Sequence, residues 1–285
     1  QLFDTDSLSG GTFAFTDANA GTGNKVVTSS GVTVNDGNGG NNYAVSYVDN
    51  TTSTINKAAI TVSTSDVGRT YDGTLNAAGT AVVSVGTLYA NASNGGALDN
   101  LSGGSFAFTD ANAGIGNKVV TSTGVSVNDG NGGGNYTLTY ADNSTSTINP
   151  FAVSLSGTRS YDGTTAVSAG VLTLGSLVGS ETLVLSGSGS VANKHVGSGK
   201  AVDVSGLSLV GDGTGGAGLA SNYSFTGGTQ TVDVTQASLS VRSTDVTKTY
   251  NGNLAAAGTA VVAAGGTQLF DTDSLPRGTF AFTDA

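Results

Sequence analysis

Short runs in which a large apolar side chain alternates with Ser, Thr or Ala recur along the whole chain. Tyr43-Ala44-Val45-Ser46-Tyr47, Tyr136-Thr137-Leu138-Thr139-Tyr140 and Tyr223-Ser224-Phe225 show it most plainly. Ile60-Thr61-Val62, Val153-Ser154-Leu155 and Leu239-Ser240-Val241 repeat it, as do Phe13-Ala14-Phe15, Phe106-Ala107-Phe108 and Phe280-Ala281-Phe282. So do Val32-Thr33-Val34, Val125-Ser126-Val127 and Leu207-Ser208-Leu209. A period of two puts every apolar group on one face, so each run predicts a strand with one buried face. Turns rich in Gly and Asn, such as Asn35-Asp36-Gly37-Asn38-Gly39-Gly40, separate the runs. Thr, Val, Ser and Gly abound while Glu, Lys, Gln, Met and Arg are scarce, which favours strands and turns over helices.

The runs recur as a set. Tyr71-Asp72-Gly73 returns as Tyr161-Asp162-Gly163 and as Tyr250-Asn251-Gly252, a period of about 90 residues. Residues 15–56 and 108–149 agree at 33 of 42 positions, and 1–18 agree with 268–285 at 16 of 18, which points to a super-repeat of three units. The register gives the back of a repeat at 1–56, whole repeats at 57–149 and 150–236, and the front of another at 237–285. The missing initiator Met and signal peptide mark a mature or internal segment. Junctions such as Ile148-Asn149-Pro150 are short and lack a Gly/Ser linker. The expected fold is all-β: tandem antiparallel β-sandwich repeats, Ig-like, forming an elongated rod.

Charge and composition narrow the function. Ten basic residues face twenty acidic ones, a net charge of −10, which argues against nucleic acid and anionic membrane surfaces as partners. No apolar run approaches the ~20 residues that span a bilayer. There is no Cys, so neither a disulfide framework nor a thiol nucleophile exists.

Candidate chemistry is sparse. In Asn35-Asp36-Gly37-Asn38-Gly39 and Asn128-Asp129-Gly130-Asn131-Gly132, the oxygens of Asp36, Asn38, Asp129 and Asn131 alternate as a calcium loop requires. One Asp per loop is little charge, and the third repeat keeps only Asp212, so a plain glycine turn is favoured. Asp4 and Asp6, like Asp271 and Asp273, share a strand face if extended; a solvated edge is preferred to a cation site. In the Tyr-Asp-Gly motif the expectation is structural: Asp bonding turn amides, Gly at positive φ, and Arg69, Arg159 or Lys248 covering the Tyr ring. His195 aligns with Asn19 and Asn112 and reads as a loop residue. Gly197-Ser198-Gly199-Lys200 lacks the upstream Gly and following Ser/Thr of a phosphate loop, and Asn24 and Asn117 stand where Lys200 stands. Lys25 and Lys118 are read as solvated lysines in preference to amide cross-links with Asn or Asp. No catalytic residue and no cofactor is assigned.

These marks resemble the glycine-rich YDG or MBG-type β repeats of large bacterial surface exoproteins, including filamentous-haemagglutinin-like adhesins. The resemblance rests on Tyr71-Asp72-Gly73-Thr74 and Tyr161-Asp162-Gly163-Thr164 after Arg69 or Arg159, then Asn193 to Lys200, Val204-Ser205-Gly206-Leu207, Asn222-Tyr223 and the closing Ile148-Asn149-Pro150. It implies secretion to the bacterial surface, a fibre or stalk role, and no catalysis. The partners it implies are other repeats or copies of the chain, with host or matrix glycans as a further class. A subunit that polymerises by strand complementation and a carbohydrate-binding module are the alternatives.

Overall fold

The computed structural model describes residues 2–211, 217–265, 268–276 and 278–283; Asp212 lies outside them. Almost everything regular in it is strand, with three single 3-10 turns beside. Backbone contacts divide the chain into two compact units, residues 1–70 with 74–149, and Tyr71–Gly73 with Pro150–Ala285.

In the first unit the strands are β1 (Ser7–Phe15), β2 (Gly21–Asn35), β3 (Asn50–Ile55), β4 (Ala58–Thr64), β5 (Gly68–Thr70), β6 (Ala81–Val85), β7 (Asn100–Phe108), β8 (Gly114–Asn128), β9 (Tyr136–Tyr140) and β10 (Asn143–Asn149). They form three sheets, in the orders β1-β2-β3, β6-β4-β9 and β5-β10-β8-β7. Ile60 and Val62 of β4 meet Val125 and Val127 of β8 and Tyr136 of β9 in one core, so two of the sheets share their buried faces. Burying such side chains stabilises the fold by about 1.5–3 kcal/mol each.

The second unit contains β11 (Phe151–Ala152), β12 (Leu155–Ser160), β13 (Ala166–Ser168), β14 (Leu172–Leu174), β15 (Leu183–Val191), β16 (Gly197–Asp203), β17 (Leu207–Gly211), β18 (Tyr223–Ser224) and β19 (Thr231–Thr235). Short strands β20 (Val241–Ser243), β21 (Ala255–Ala256), β22 (Ala260–Val262) and β23 (Phe280–Ala281) follow. One seven-stranded sheet runs β13-β15-β16-β19-β12-β14, with β17 also on β15. Its core gathers Leu155, Val167, Val191, Val202 and Val232.

Two expectations need correction. The sheets are mixed: β4 runs parallel to β9, β5 to β10, β11 to β18 and β12 to β19. The opening and closing strands of a repeat run the same way because the rest of the repeat supplies the long crossover that parallel pairing needs. Tyr43–Tyr47 is not a strand although Tyr136–Tyr140 is. The latter pairs along β4, from Ala58↔Tyr136 to Val62↔Tyr140, and no opening strand stands beside Tyr43–Tyr47 among the described residues. The strand pattern sets the buried face; a neighbouring backbone makes the strand.

Candidate functional site

One polar node recurs in three successive repeats. The Phe3 N–H donates to the Tyr43 hydroxyl at 3.2 Å, and that hydroxyl donates to Asp6 at 2.5 Å. In the next repeat Tyr89 N–H donates to Tyr136 at 2.9 Å and Tyr136 donates to Asp99 at 2.8 Å. In the third, Val178 N–H donates to Tyr223 at 3.0 Å and Tyr223 to Glu181 Oε2 at 2.7 Å. Tyr136, Tyr223 and Asp99 are buried, so each phenol must find an acceptor and each carboxylate a donor. Burial first, and the neighbouring carboxylate after it, pushes the Tyr136 and Tyr223 phenols up.

The Tyr-Asp-Gly turn reads this node. Tyr71 is buried in the second unit, donates to the other oxygen of Glu181, and sets its ring edge-on to Tyr223 at 5.7 Å and 75°. Burial and Glu181 push its phenol up to about 12. Gly73 takes φ +75°, which favours glycine, and its backbone lies against Val178. Tyr161 does the same one repeat later. Its hydroxyl donates to Asp273 at 3.3 Å and its ring lies edge-on to Phe270 at 5.8 Å. A Cβ on Gly163 would fall 2.5 Å from Phe270, so only glycine fits there. Tyr250, the third tyrosine of the motif, is 83% exposed.

The rest of the motif closes its own loop. Asp162 accepts the Thr164 N–H at 2.9 Å and pairs with Arg159 at 2.5 Å, the turn role expected of it. The ring contacts seen for the basic side chains of the motif are to phenylalanine. Arg69 bonds Thr74 Oγ1 at 2.9 Å and lies 5.1 Å over Phe108, and Lys248 lies 5.0 Å over Phe282. Both reach across the turn to the aromatic strand, where a guanidinium or ammonium gains ring contact without leaving its carbonyl partners.

The calcium candidates are occupied by their own backbone. Asp129 accepts amides of Asn131 and Gly133 at 2.8 Å and of Asn135 at 3.0 Å; Asp36 accepts those of Asn38, Gly40 and Asn42 at the same distances. Asn131 and Asn38 turn their side-chain amides to Asn135 and Asn42. Gly40, then Asn38 and Asn42, hold the Asp36 carboxyl below the usual range. At buried Asp129 the cost of burial is outweighed by the three amides. Among the described residues no three His, Cys, Asp or Glu side chains gather as a metal set would. Asp4 and Asp271 lie at positive φ, 44° and 49°, so the Asp-Thr-Asp pairs are turns and their carboxylates do not share a strand face. Asp6 serves Tyr43, while Asp271 pairs with Lys194 at 2.9 Å.

The lysines also depart from expectation. Lys25 and Lys118 are buried, paired with Asp17 and Asp110. Lys118 lies opposite Ser146 on β10 and Lys200 opposite Val232 on β19, so Lys200 occupies the Lys25/Lys118 position and not that of Asn24/Asn117. The loop before Lys200 is one residue shorter, which hides the match in the sequence. Its ammonium satisfies Asn193 O at 2.8 Å and Asn193 Oδ1 at 2.7 Å. The amide of Gly199 and the hydroxyl of Ser198 point at Asp233, 2.6 and 3.0 Å away, where a phosphate would need them. His195 is an exposed loop residue whose N–H donates to Asn193.

The sequence reading missed Asp99 and Glu181 as node acids and gave Asp6 and Asp273 a different role. Their signal is an acid two residues before Leu at the start of the hairpin: Asp6-Ser7-Leu8, Asp99-Asn100-Leu101, Glu181-Thr182-Leu183 and Asp273-Ser274-Leu275. The only glutamate falls at this position.

The YDG domain profile matches the chain twice, at residues 56–147 and 144–232, together more than half its length. The chain belongs to the YDG domain family. No curated protein and no solved structure matches it. Each YDG match therefore carries one Tyr-Asp-Gly turn and one tyrosine–carboxylate node. Among the described residues no helix is long and apolar enough to cross a membrane.

Proposed function

We propose that the chain is a structural and adhesive repeat segment of a secreted bacterial surface fibre, stalk or filament. In this reading Ig-like sandwich repeats stand in series, add length, and carry out no reaction. The observation that carries it is the reuse of one contact: Tyr71 on Glu181 and Tyr161 on Asp273 each join a Tyr-Asp-Gly turn to the node acid of the repeat after it. A residue type spent on the same joint in successive repeats serves connection, since each repeat then fixes its neighbour. The likeness of the motifs to filamentous-haemagglutinin-like adhesins supports placement outside the cell. Partners are then other repeats of the same kind and the surfaces the fibre meets.

The test is made on intact cells that produce the parent protein. Antibody against these repeats should label unpermeabilised cells, added protease should remove the label, and negative-stain imaging should show thin fibres carrying it. Label that appears only after the cells are broken open overturns the reading.

A further inference from the structure

The two whole repeats, 57–149 and 150–236, close in the same way. In the first of them β4 runs parallel to β9, from Ala58↔Tyr136 to Val62↔Tyr140, and β5 continues parallel to β10, from Gly68↔Thr147 to Thr70↔Asn149. Bonds fill the stretch between these ladders. The Ala141 N–H donates to Val62 O at 2.9 Å, Asn143 Nδ2 to Thr64 O at 3.1 Å and the Thr147 N–H to Val67 O at 2.8 Å. The other whole repeat has the same arrangement. Phe151↔Tyr223 and Ala152↔Ser224 begin it, and Thr158↔Asp233 to Ser160↔Thr235 finish it. Between them the Leu155 N–H donates to Thr229 O at 2.9 Å and Gln230 Nε2 to Val153 O at 2.8 Å. The opening and closing segments of each repeat are thus joined along one parallel seam. Among the described residues every parallel ladder lies on such a seam.

The seam lies where tension enters and leaves a repeat. The chain enters the later repeat at Phe151, at one end of its seam, and leaves at Thr235, at the other. Pulled at those points, two parallel strands are drawn in opposite directions along their own axis. Every seam bond then carries a share of the load at once, whereas a pull from one end would break them one at a time. Val153, Leu155, Val232 and Val234 of the seam are at most 2% exposed, so sliding must also drag apolar side chains out of a close-packed core. The entry end is capped by aromatic rings: Phe151 and Tyr71 both stand edge-on to Tyr223, at 6.1 and 5.7 Å. The antiparallel hairpins β7–β8 and β15–β17 begin and end inside their repeats, off this path. Pro150 alone separates β10 from β11, so load passes from one seam to the next with little slack.

We infer that each whole repeat is a tension clamp, whose parallel seam bears a pull applied along the chain. This rests on reading the chain as a serial fibre and adds what its repeats do there. Parallel pairing is slightly less stable per residue than antiparallel pairing and needs a long crossover. Its advantage appears under load, because it puts the entry and the exit of the repeat at opposite ends of one ladder.

Single-molecule pulling on the full chain tests this. The chain has no Cys, so thiol handles attach only where a cysteine is introduced. Ala152, Ser221 and Thr235 are exposed. Handles on Ala152→Cys and Thr235→Cys load the seam from opposite ends. Handles on Ala152→Cys and Ser221→Cys peel it from one end, since Ala152 pairs with Ser224. At one pulling speed the first pair should need at least about twice the rupture force of the second, because forced unfolding reports the barrier along the pulled path. A melting curve checks that each variant is folded; if those carrying Ala152→Cys are not, Ser154→Cys, also exposed, takes its place. A force ratio below about two overturns the clamp. Neither result touches the fibre reading, which stands or falls on the labelling of intact cells.

Discussion

Residues 15–56 and 108–149 are nearly the same sequence in different surroundings. Phe108 is 1% exposed and Phe15 is 45% exposed. Val120 is buried in β8, while its counterpart Val27 in β2 is only half-buried. Each segment pairs with the strand that leads into it to form the same long hairpin, β1 on β2 and β7 on β8, in the same register. What separates them is the front of the repeat. β4 lays Ile60 and Val62 against the second hairpin and pairs with β9; the first hairpin has no such cover among the described residues. Hairpin pairing and turn chemistry are local properties of the sequence. Burial is a property of the whole repeat.

The sharpest way to break this comparison is to truncate one ring in each copy. Phe108→Ala should cost about 3–5 kcal/mol, the price of a large cavity in a closed core. Phe15→Ala should cost less than about 1 kcal/mol, as surface substitutions do. The chain has no Trp, so urea unfolding can be followed by tyrosine fluorescence. Similar losses in the two variants would mean that the front strands do not close the core of the second copy.

A smaller difference is expected at the tyrosine node. Tyr136→Phe leaves Asp99, 2% exposed, without its phenol donor, and should cost about 1–3 kcal/mol. Tyr43→Phe removes the same bond where Asp6 can turn to water, and should cost less than about 1 kcal/mol. If Tyr43→Phe cost as much as Tyr136→Phe, the first node would have to be as closed as the second.

Much of this was legible in the sequence. The alternation predicts β7, β8 and β9 and their buried faces, and the Gly/Asn turns between them. The Asp of the Tyr-Asp-Gly turn bonds its own amides at Asp162 as turn chemistry requires. Three things could not be read. Tyr43–Tyr47 has the pattern of Tyr136–Tyr140 but no partner strand, and periodicity does not encode partners. Lys200 moved by one residue in its loop, so position-by-position comparison set it against Asn24 when its ammonium does the work of Lys25. The node acids Asp99 and Glu181 look like surface charges in a chain with twenty of them, and only the third dimension brings a buried phenol to each.

The glycine loops allow a finer comparison by pH. The carboxyls of Asp129 and Asp36 are both held low by loop amides, so their stabilisation is present above the ordinary carboxylate range and is lost as pH falls through their lowered values. The amides are the same in both loops, and burial, which raises a carboxyl, is the largest influence at Asp129 and a lesser one at Asp36, so the loss should be larger at Asp36. Asp36→Asn should therefore flatten the acid limb of the stability curve more than Asp129→Asn does. Equal flattening would show that the amides alone, and not their burial, set the effect.

Calcium should do least of all. A calcium ion asks for six to eight oxygens at about 2.3–2.6 Å, and the ones offered here belong to carboxylates that already accept three amides each. Binding would have to release those amides, and at Asp129 they are buried, so the loop closer to a finished turn is the worse calcium site. Excess calcium, or a chelator, should move the thermal midpoint by less than about 1 °C, since a ligand stabilises only as far as it binds the folded state. A midpoint that climbs with calcium in the wild type and not in Asp129→Asn would return the cation to that loop. The same climb abolished only by Asp36→Asn would place it in the more open copy, where the amides cost less to release.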